Sequence, residues 1–309
     1  MKLAFVFPGQ GSQSVGMLQG FAESAAAQSV LAEASQALGE DLAELIANGP
    51  AERLNLTTNT QPVMLAAGLA SFAAWQEAGG PMPILVAGHS LGEYTALVAA
   101  GVLSLADAVR VVRLRAQAMQ AAVPAGEGAM AAILGLEDDA VRSACLQASD
   151  TGVVQAVNFN APLQVVIAGK KAAVDRACEL AREKGAKRAV LLPVSAPFHC
   201  SLMQPAAEVL RKGLADIPFN SPRMDVINNV DVAIESDIAR IRDALVRQAW
   251  HPVRWVETIH KMCAMGVTHI VECGPGKVLQ GLVKRIAPQV QNLAITDISS
   301  LQQIKGLLQ

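Results

Sequence analysis

Short apolar runs separated by longer stretches with a helical repeat mark the first part of the chain. Residues 3–7 (LAFVF) carry no polar side chain and read as a strand buried on both faces. A helical pattern covers 21–38, and a second covers 61–76 with Pro62 in its first turn. Residues 84–87 (ILVA) read as the next strand, and helices follow over 93–100 and 104–122. Such strand–helix alternation predicts a mostly parallel sheet with helices on both faces.

The pattern changes at Pro124–Gly128. AMAAILGL reads as a strand, EDDAVRSACLQAS as a helix, and VVQAVNFN and QVVIAGK as two strands joined at Ala161–Pro162. The helix AAVDRACELAREKGA and the strand KRAVLLPV complete a β-α-β-β-α-β order, which is ferredoxin-like. Longer units then return: a helix over 201–215, the strand MDVINN, helices over 238–248 and 253–265, the strand THIVEC and a helix after GPGK. The expected architecture is α/β, with a large domain from 1–124 and 196–309. A small ferredoxin-like lobe, 125–195, is inserted into it.

At 309 residues and 52% hydrophobic content the chain can bury a large core, and a formal net charge of −2 argues against nucleic acid as a partner. The Ala-rich stretch 95–108 is broken by Gly101, Ser104 and Asp107, so no membrane span is expected. The first apolar run is too short for a signal-peptide core, and a cytoplasmic protein is expected. Five cysteines (145, 178, 200, 263, 273) without CxxC spacing read as reduced thiols, with no metal site.

Candidate chemistry begins at VAGHSLGEYTALVAAG, residues 86–101, where Ser90 has Gly88 and Gly92 two residues to either side. A strand turning sharply into a helix exposes the turn residue at the carboxyl edge of the sheet, and the cramped backbone demands glycine on both sides. The helix that follows points free N–H groups at the serine, and the Leu91 amide is the natural first donor to an oxyanion. The bland alternative is a glycine-rich turn with a capping serine. A serine nucleophile needs a base. His89 adjoins Ser90 and diverges from it, His260 and His269 fit packing or surface positions, and His251 precedes a proline. His199 stands where the chain leaves the small lobe, at the expected cleft, and is the favoured base. Asp107, Asp138, Asp139, Asp150 and Asp175, between Ser90 and His199, sit on helices or in turns with ordinary surface readings, so a carbonyl or amide is expected to orient the imidazole.

In SLADAVRVVRLRAQAMQAAV, Arg110, Arg113, Gln117 and Gln120 share a water-facing stripe, while Arg115 projects among Ala108, Val111, Met119 and Ala122. A guanidinium on an apolar face needs an anion. Three readings stay open: a structural pair with an internal carboxylate, a snorkelling side chain, or a substrate carboxylate held by the fork. FPGQGSQ (7–13) is either a connecting turn or a source of a second oxyanion amide near Gln10. GPGK at 274–277 lacks Walker spacing, and AREKGAKR (181–188) reads as a solvated basic helix end or a dock for an acidic partner.

Taken in order, FPGQGSQ, TQPVMLA, GHSLGEY, the Arg115 helix, VNFN, SAPFH, VRQ before a W-x-P and ECGPGKVL resemble the malonyl-CoA:acyl carrier protein transacylase family almost end to end. The resemblance implies an α/β-hydrolase-like large domain and a ferredoxin-like lobe with the active site between them. It implies Ser90 as nucleophile, His199 as base, and Gln248 as the residue whose main-chain carbonyl orients the imidazole. Leu91 and Gln10 would supply oxyanion amides, Arg115 would grip the malonyl carboxylate, and Phe198 resembles the malonyl-selecting variant. The implied partners are acyl carrier protein and a coenzyme A thioester, with no metal or redox cofactor, no nucleic acid and no membrane, and the chain is expected to act as a monomer. Two rival functions remain at this stage: a serine thioesterase or hydrolase, and a non-enzymatic acyl-binding subunit.

Overall fold

Every side chain of the first strand is buried, which is what a strand without polar residues requires when both faces of its sheet are covered. The computed structural model describes residues 1–308. Among them nine strands follow in chain order: β1 (Leu3–Phe7), β2 (Leu85–Gly88), β3 (Gly128–Leu134), β4 (Val154–Ala161), β5 (Gln164–Lys170), β6 (Arg188–Leu191), β7 (Asp225–Ile227), β8 (His269–Cys273) and β9 (Gln291–Ile295). They form two sheets. One is wholly parallel, in the order β7-β2-β1-β8-β9, with β1 at its centre and Phe7 paired to Gly88 at the carboxyl edge. The other is antiparallel, in the order β4-β5-β3-β6, the ferredoxin-like arrangement of a β-α-β-β-α-β chain.

Alternation along β3 divides the faces of the second sheet. Ala131 and Ile133 pack with the helices Asp138–Gln147 and Lys171–Glu183, whereas Met130 joins Val157, Val166, Ala168 and Cys200 on the opposite face. That opposite face is turned toward the chain around Phe198 and Leu202. The antiparallel sheet is tied to the loop before the helix Trp255–Ala264 at β4: Phe159 donates to the Val253 carbonyl at 3.0 Å, and Val253 donates to the Val157 carbonyl at 2.8 Å. Register shifts on both sides of Asn158–Phe159 bend β4 at this junction, as bulges do.

Several element boundaries differ from expectation. The second long helix runs Thr57–Glu77, so Pro62 lies inside it rather than in its first turn. Burial overrides the local cost, since sixteen of its residues are buried, from Thr57 to Trp75, and packing holds the turn that Pro62 leaves without an amide donor. The first helix begins at Ala25 rather than at 21, because the Ser24 hydroxyl accepts from the Ala27 amide and caps it there. Short helices at Leu42–Asn48 and Ala51–Leu54, the strand β9 and the last helix, Ile298–Leu308, went unpredicted. Arg113 does not simply face water: it forms a forked pair with Glu40 at 2.7 and 2.8 Å. GPGK is a strand-to-helix turn between β8 and the helix Val278–Ile286, as expected. Among the described residues no helix is long and apolar enough to cross a membrane.

Candidate active site

Ser90 sits one residue beyond the second residue after β2's last apolar position, at φ 52°, a left-handed conformation that costs a non-glycine residue free energy. Steric limits on both sides explain the glycines. A Cβ on Gly88 would lie 1.8 Å from the Gly92 carbonyl carbon, and one on Gly92 would lie 2.1 Å from the Phe7 oxygen of β1. The corner is held from outside by Asn229, just past β7. Its side-chain oxygen accepts from the Ser90 amide at 2.7 Å, and its NH2 donates to the Gly88 carbonyl at 2.7 Å.

The imidazole of His199 meets the hydroxyl. Ser90 Oγ and His199 Nε2 are 2.7 Å apart, and His199 Nδ1 lies 2.8 Å from the main-chain oxygen of Gln248. A carbonyl only accepts, so Nδ1 carries the proton and Nε2 is left to accept from the serine. His199 is itself at positive φ, 65°, and is 4% exposed. Burial, with the nearby Arg115 charge second, pushes its pKa down to about 3, so the ring is neutral and free to take a proton. The other histidines lie elsewhere. His260 is exposed, His269 contacts Thr268, and His251 contacts the Arg247 carbonyl. His89 turns away from Ser90 to Asn160, 2.7 Å from its Oδ1.

Arg115 is 2% exposed on the inward face of the helix Leu105–Ala121. Its Nη1 donates to Gln61 Oε1 at 2.9 Å, and its Nη2 to Gln248 Oε1 at 3.0 Å and Ser90 Oγ at 3.2 Å. Its Nε is buried with no acceptor among the described residues. No described carboxylate forms a direct ion pair with it, and the Glu93 carboxyl acts on it only through the intervening Gln248 amide. A buried cation that rests on neutral amides keeps its need for an anion.

A cavity of about 180 Å³ opens over these groups. Its lining combines the polar Gln10, Gln61, Ser90, Arg115 and His199 with the apolar Met130, Val166, Leu192 and Val194 of the antiparallel sheet and its exit. Phe198, beside His199, also lines it. The Leu91 and Gln10 amides bind no acceptor among the described residues, and Gly9 permits the two segments to close, since a Cβ there would sit 2.6 Å from the His89 oxygen. The structure therefore brings Ser90, His199, Gln248, Leu91, Gln10 and Arg115 to one place.

Four further residues escaped the sequence reading: Gln61, Glu93, Asn160 and Asn229. Glu93 had a signal. It is the one charged residue of the segment GEYTALVA, the same kind of anomaly that singles out Arg115. Asn229 had none, because only the pairing of β7 beside β2 puts it against the Ser90 turn.

Arranged in this way, the groups suit attack on an acyl carbonyl whose far end carries a negative charge. The pattern of the acyl transferase domain family matches residues 4–303. The malonyl CoA-acyl carrier protein transacylase of Salmonella typhimurium is 54% identical over 304 residues, covering 97% of each chain, and that of Bacillus subtilis is 46% identical over 303 residues, covering 97% of this chain and 95% of its own. The crystal structure of the acyl-carrier-protein S-malonyltransferase of Burkholderia pseudomallei superposes with a TM-score of 0.98 at 62% identity, covering 99% of this chain and 100% of that one. A malonyl-transacylase solved in complex with its type II polyketide acyl carrier protein superposes equally well, at 0.98 with 49% identity and the same coverage. The chain belongs to the malonyl-CoA:acyl carrier protein transacylases of the acyl transferase family, and it is an acyltransferase.

Proposed function

We propose that this protein moves the malonyl group from malonyl-CoA to the phosphopantetheine thiol of acyl carrier protein through an ester on Ser90, as a step of fatty-acid synthesis. The observation that carries the reading is Arg115, a buried guanidinium without a carboxylate partner that touches the same hydroxyl as His199. A substrate with a free carboxylate next to its thioester supplies the missing anion and sets its carbonyl at Ser90.

In the first half-reaction the Oγ–carbon bond forms while the hydroxyl proton passes to His199 Nε2. The Leu91 and Gln10 amides hold the oxyanion. The carbon–sulfur bond then breaks, and His199 returns its proton to the departing coenzyme A thiolate. In the second half the carrier thiol attacks the ester, its proton goes to His199, and that proton returns to Ser90 as its bond to carbon breaks. The Gln248 carbonyl holds Nδ1 throughout. Every step uses groups of one chain, without a metal or redox cofactor, and the protein acts as a monomer in the cytoplasm.

Intact-mass measurement after exposure to malonyl-CoA tests this. The expected result is one malonyl adduct, absent in Ser90→Ala and discharged by holo acyl carrier protein with malonyl appearing on the carrier. Release of free malonate as the main product with carrier present would instead indicate a thioesterase.

A further inference from the structure

Behind the cavity wall lies one acid that the proposed reaction does not use. Glu93 stands in the first turn of the helix Gly92–Ala99, three residues after Ser90, and is 2% exposed. A single oxygen, Oε2, accepts from the Asn229 amide at 3.0 Å and from Gln248 Nε2 at 2.9 Å. These two donors belong to the residues that hold the reacting pair. The Asn229 side chain bridges Ser90 N and the Gly88 carbonyl, and the Gln248 main chain holds His199.

The direction of the Gln248 amide follows from this contact. Its NH2 has two protons and two acceptors, Glu93 Oε2 and the Ser90 carbonyl at 2.9 Å. Its oxygen must then face Arg115 Nη2. The opposite orientation would set NH2 against a cation and an oxygen against a carboxylate and a carbonyl, leaving buried polar groups unpaired. On the far side the same two segments are tied again, because Arg247 forks onto Asp231 at 2.8 and 2.7 Å.

We infer that Glu93 is a positioning residue: its Oε2 locks the Gln248 side chain, which aims the Arg115 fork at the site of the substrate carboxylate, and anchors the Asn229 turn under Ser90. This rests on the roles proposed above for Ser90, His199 and Arg115. A merely structural role, an acid that compensates the positive end of its helix, depends on charge and not on where the oxygen sits.

Two variants separate these. Glu93→Gln keeps an acceptor oxygen at the same reach and removes the charge. Glu93→Asp keeps the charge and withdraws the oxygen by one methylene. The readouts are the preference for malonyl-CoA over acetyl-CoA in kcat/KM and the rate of Ser90 sulfonylation by phenylmethylsulfonyl fluoride. The expected result is that Glu93→Asp loses on the order of tenfold in both while Glu93→Gln stays close to wild type, a buried hydrogen bond of this kind being worth about that much. The reverse order, or the two variants behaving alike, overturns the inference. Wild-type protein that forms no malonyl-Ser90 removes it together with the proposed function; wild type that does form it leaves these variants to decide the role of Glu93 alone.

Discussion

His199 Nδ1 lies 2.8 Å from the main-chain oxygen of Gln248, the place where a serine hydrolase usually has a carboxylate. The carbonyl fixes the tautomer as firmly as an acid would, because it can only accept. It brings no full negative charge to stabilise an imidazolium. Burial first and the Arg115 guanidinium second hold the ring neutral well below the ordinary histidine range, against the upward pull of the Gln248 carbonyl.

The pH dependence of malonylation should show that depression. Protonated His199 cannot accept from Ser90, and a pKa pushed down to about 3 keeps the neutral form down to strongly acidic pH. The limb of kcat/KM assigned to His199 should therefore lie far below pH 6.5, and a limb at 6.5 would contradict the geometry. A substrate carboxylate on Arg115 removes one of the two main causes of the depression. The corresponding limb in kcat, which reports the bound complex, should fall at higher pH than that in kcat/KM.

Arg115 should decide which acyl group is taken. Arg115→Ala leaves the malonyl carboxylate unpaired in a buried site and should cost about 2–5 kcal/mol in kcat/KM for malonyl-CoA. Acetyl-CoA, which has no carboxylate, should lose far less, so the preference collapses. Arg115→Lys should not restore it, because an ammonium cannot reach Gln61 Oε1 and Gln248 Oε1 together and still present a fork. Competition kinetics with the two thioesters measure this, and an unchanged ratio would return Arg115 to a structural role.

Gly88 should tolerate no side chain. The added methyl of Gly88→Ala would lie 1.8 Å from the backbone of Gly92, which cannot yield without moving the serine. We expect a loss of about 3 kcal/mol or more in unfolding free energy and the loss of Ser90 acylation. Denaturant titration and intact mass would show both, and a stable, active variant would rule out the tight corner.

Glu272 should make stability depend on pH. This carboxylate in β8 is 0% exposed and accepts from the Gln280 amide at 2.7 Å, while its other oxygen has no partner among the described residues. Burial pushes its pKa up to about 7 despite the helix amides. The folded state then holds a proton between pH 4.5 and 7 that the unfolded state has released. Its contribution to stability is present below 4.5 and is lost as pH rises through 7. The shift corresponds to about 3 kcal/mol at most. Glu272→Gln should remove this decline, so its unfolding free energy relative to wild type should rise across that window; a constant difference would contradict the assignment.

Much of the site could be read from residue order because its chemistry depends on local backbone. The corner at Ser90 follows from glycines at fixed spacing, and Arg115 stands out because a helical repeat places it among apolar neighbours. His199 was legible as a boundary residue two positions after Pro197, but its contact with Ser90 spans 109 residues and no local signal encodes it. Gln248 was reached only through family resemblance, since any residue has a main-chain carbonyl.

By itself, then, the sequence determined the strand–helix alternation, the ferredoxin-like insertion, the strained serine turn and the misplaced arginine, each a matter of periodicity or backbone sterics over a few residues. Tertiary structure alone decided which groups meet. The parallel pairing of β7 with β2 brings Asn229 under the turn, burial sets the charge state of His199, and Glu93, Gln248 and Arg115 become one hydrogen-bonded chain. Those relations depend on distance and desolvation between segments far apart in the chain, and side-chain order does not carry them.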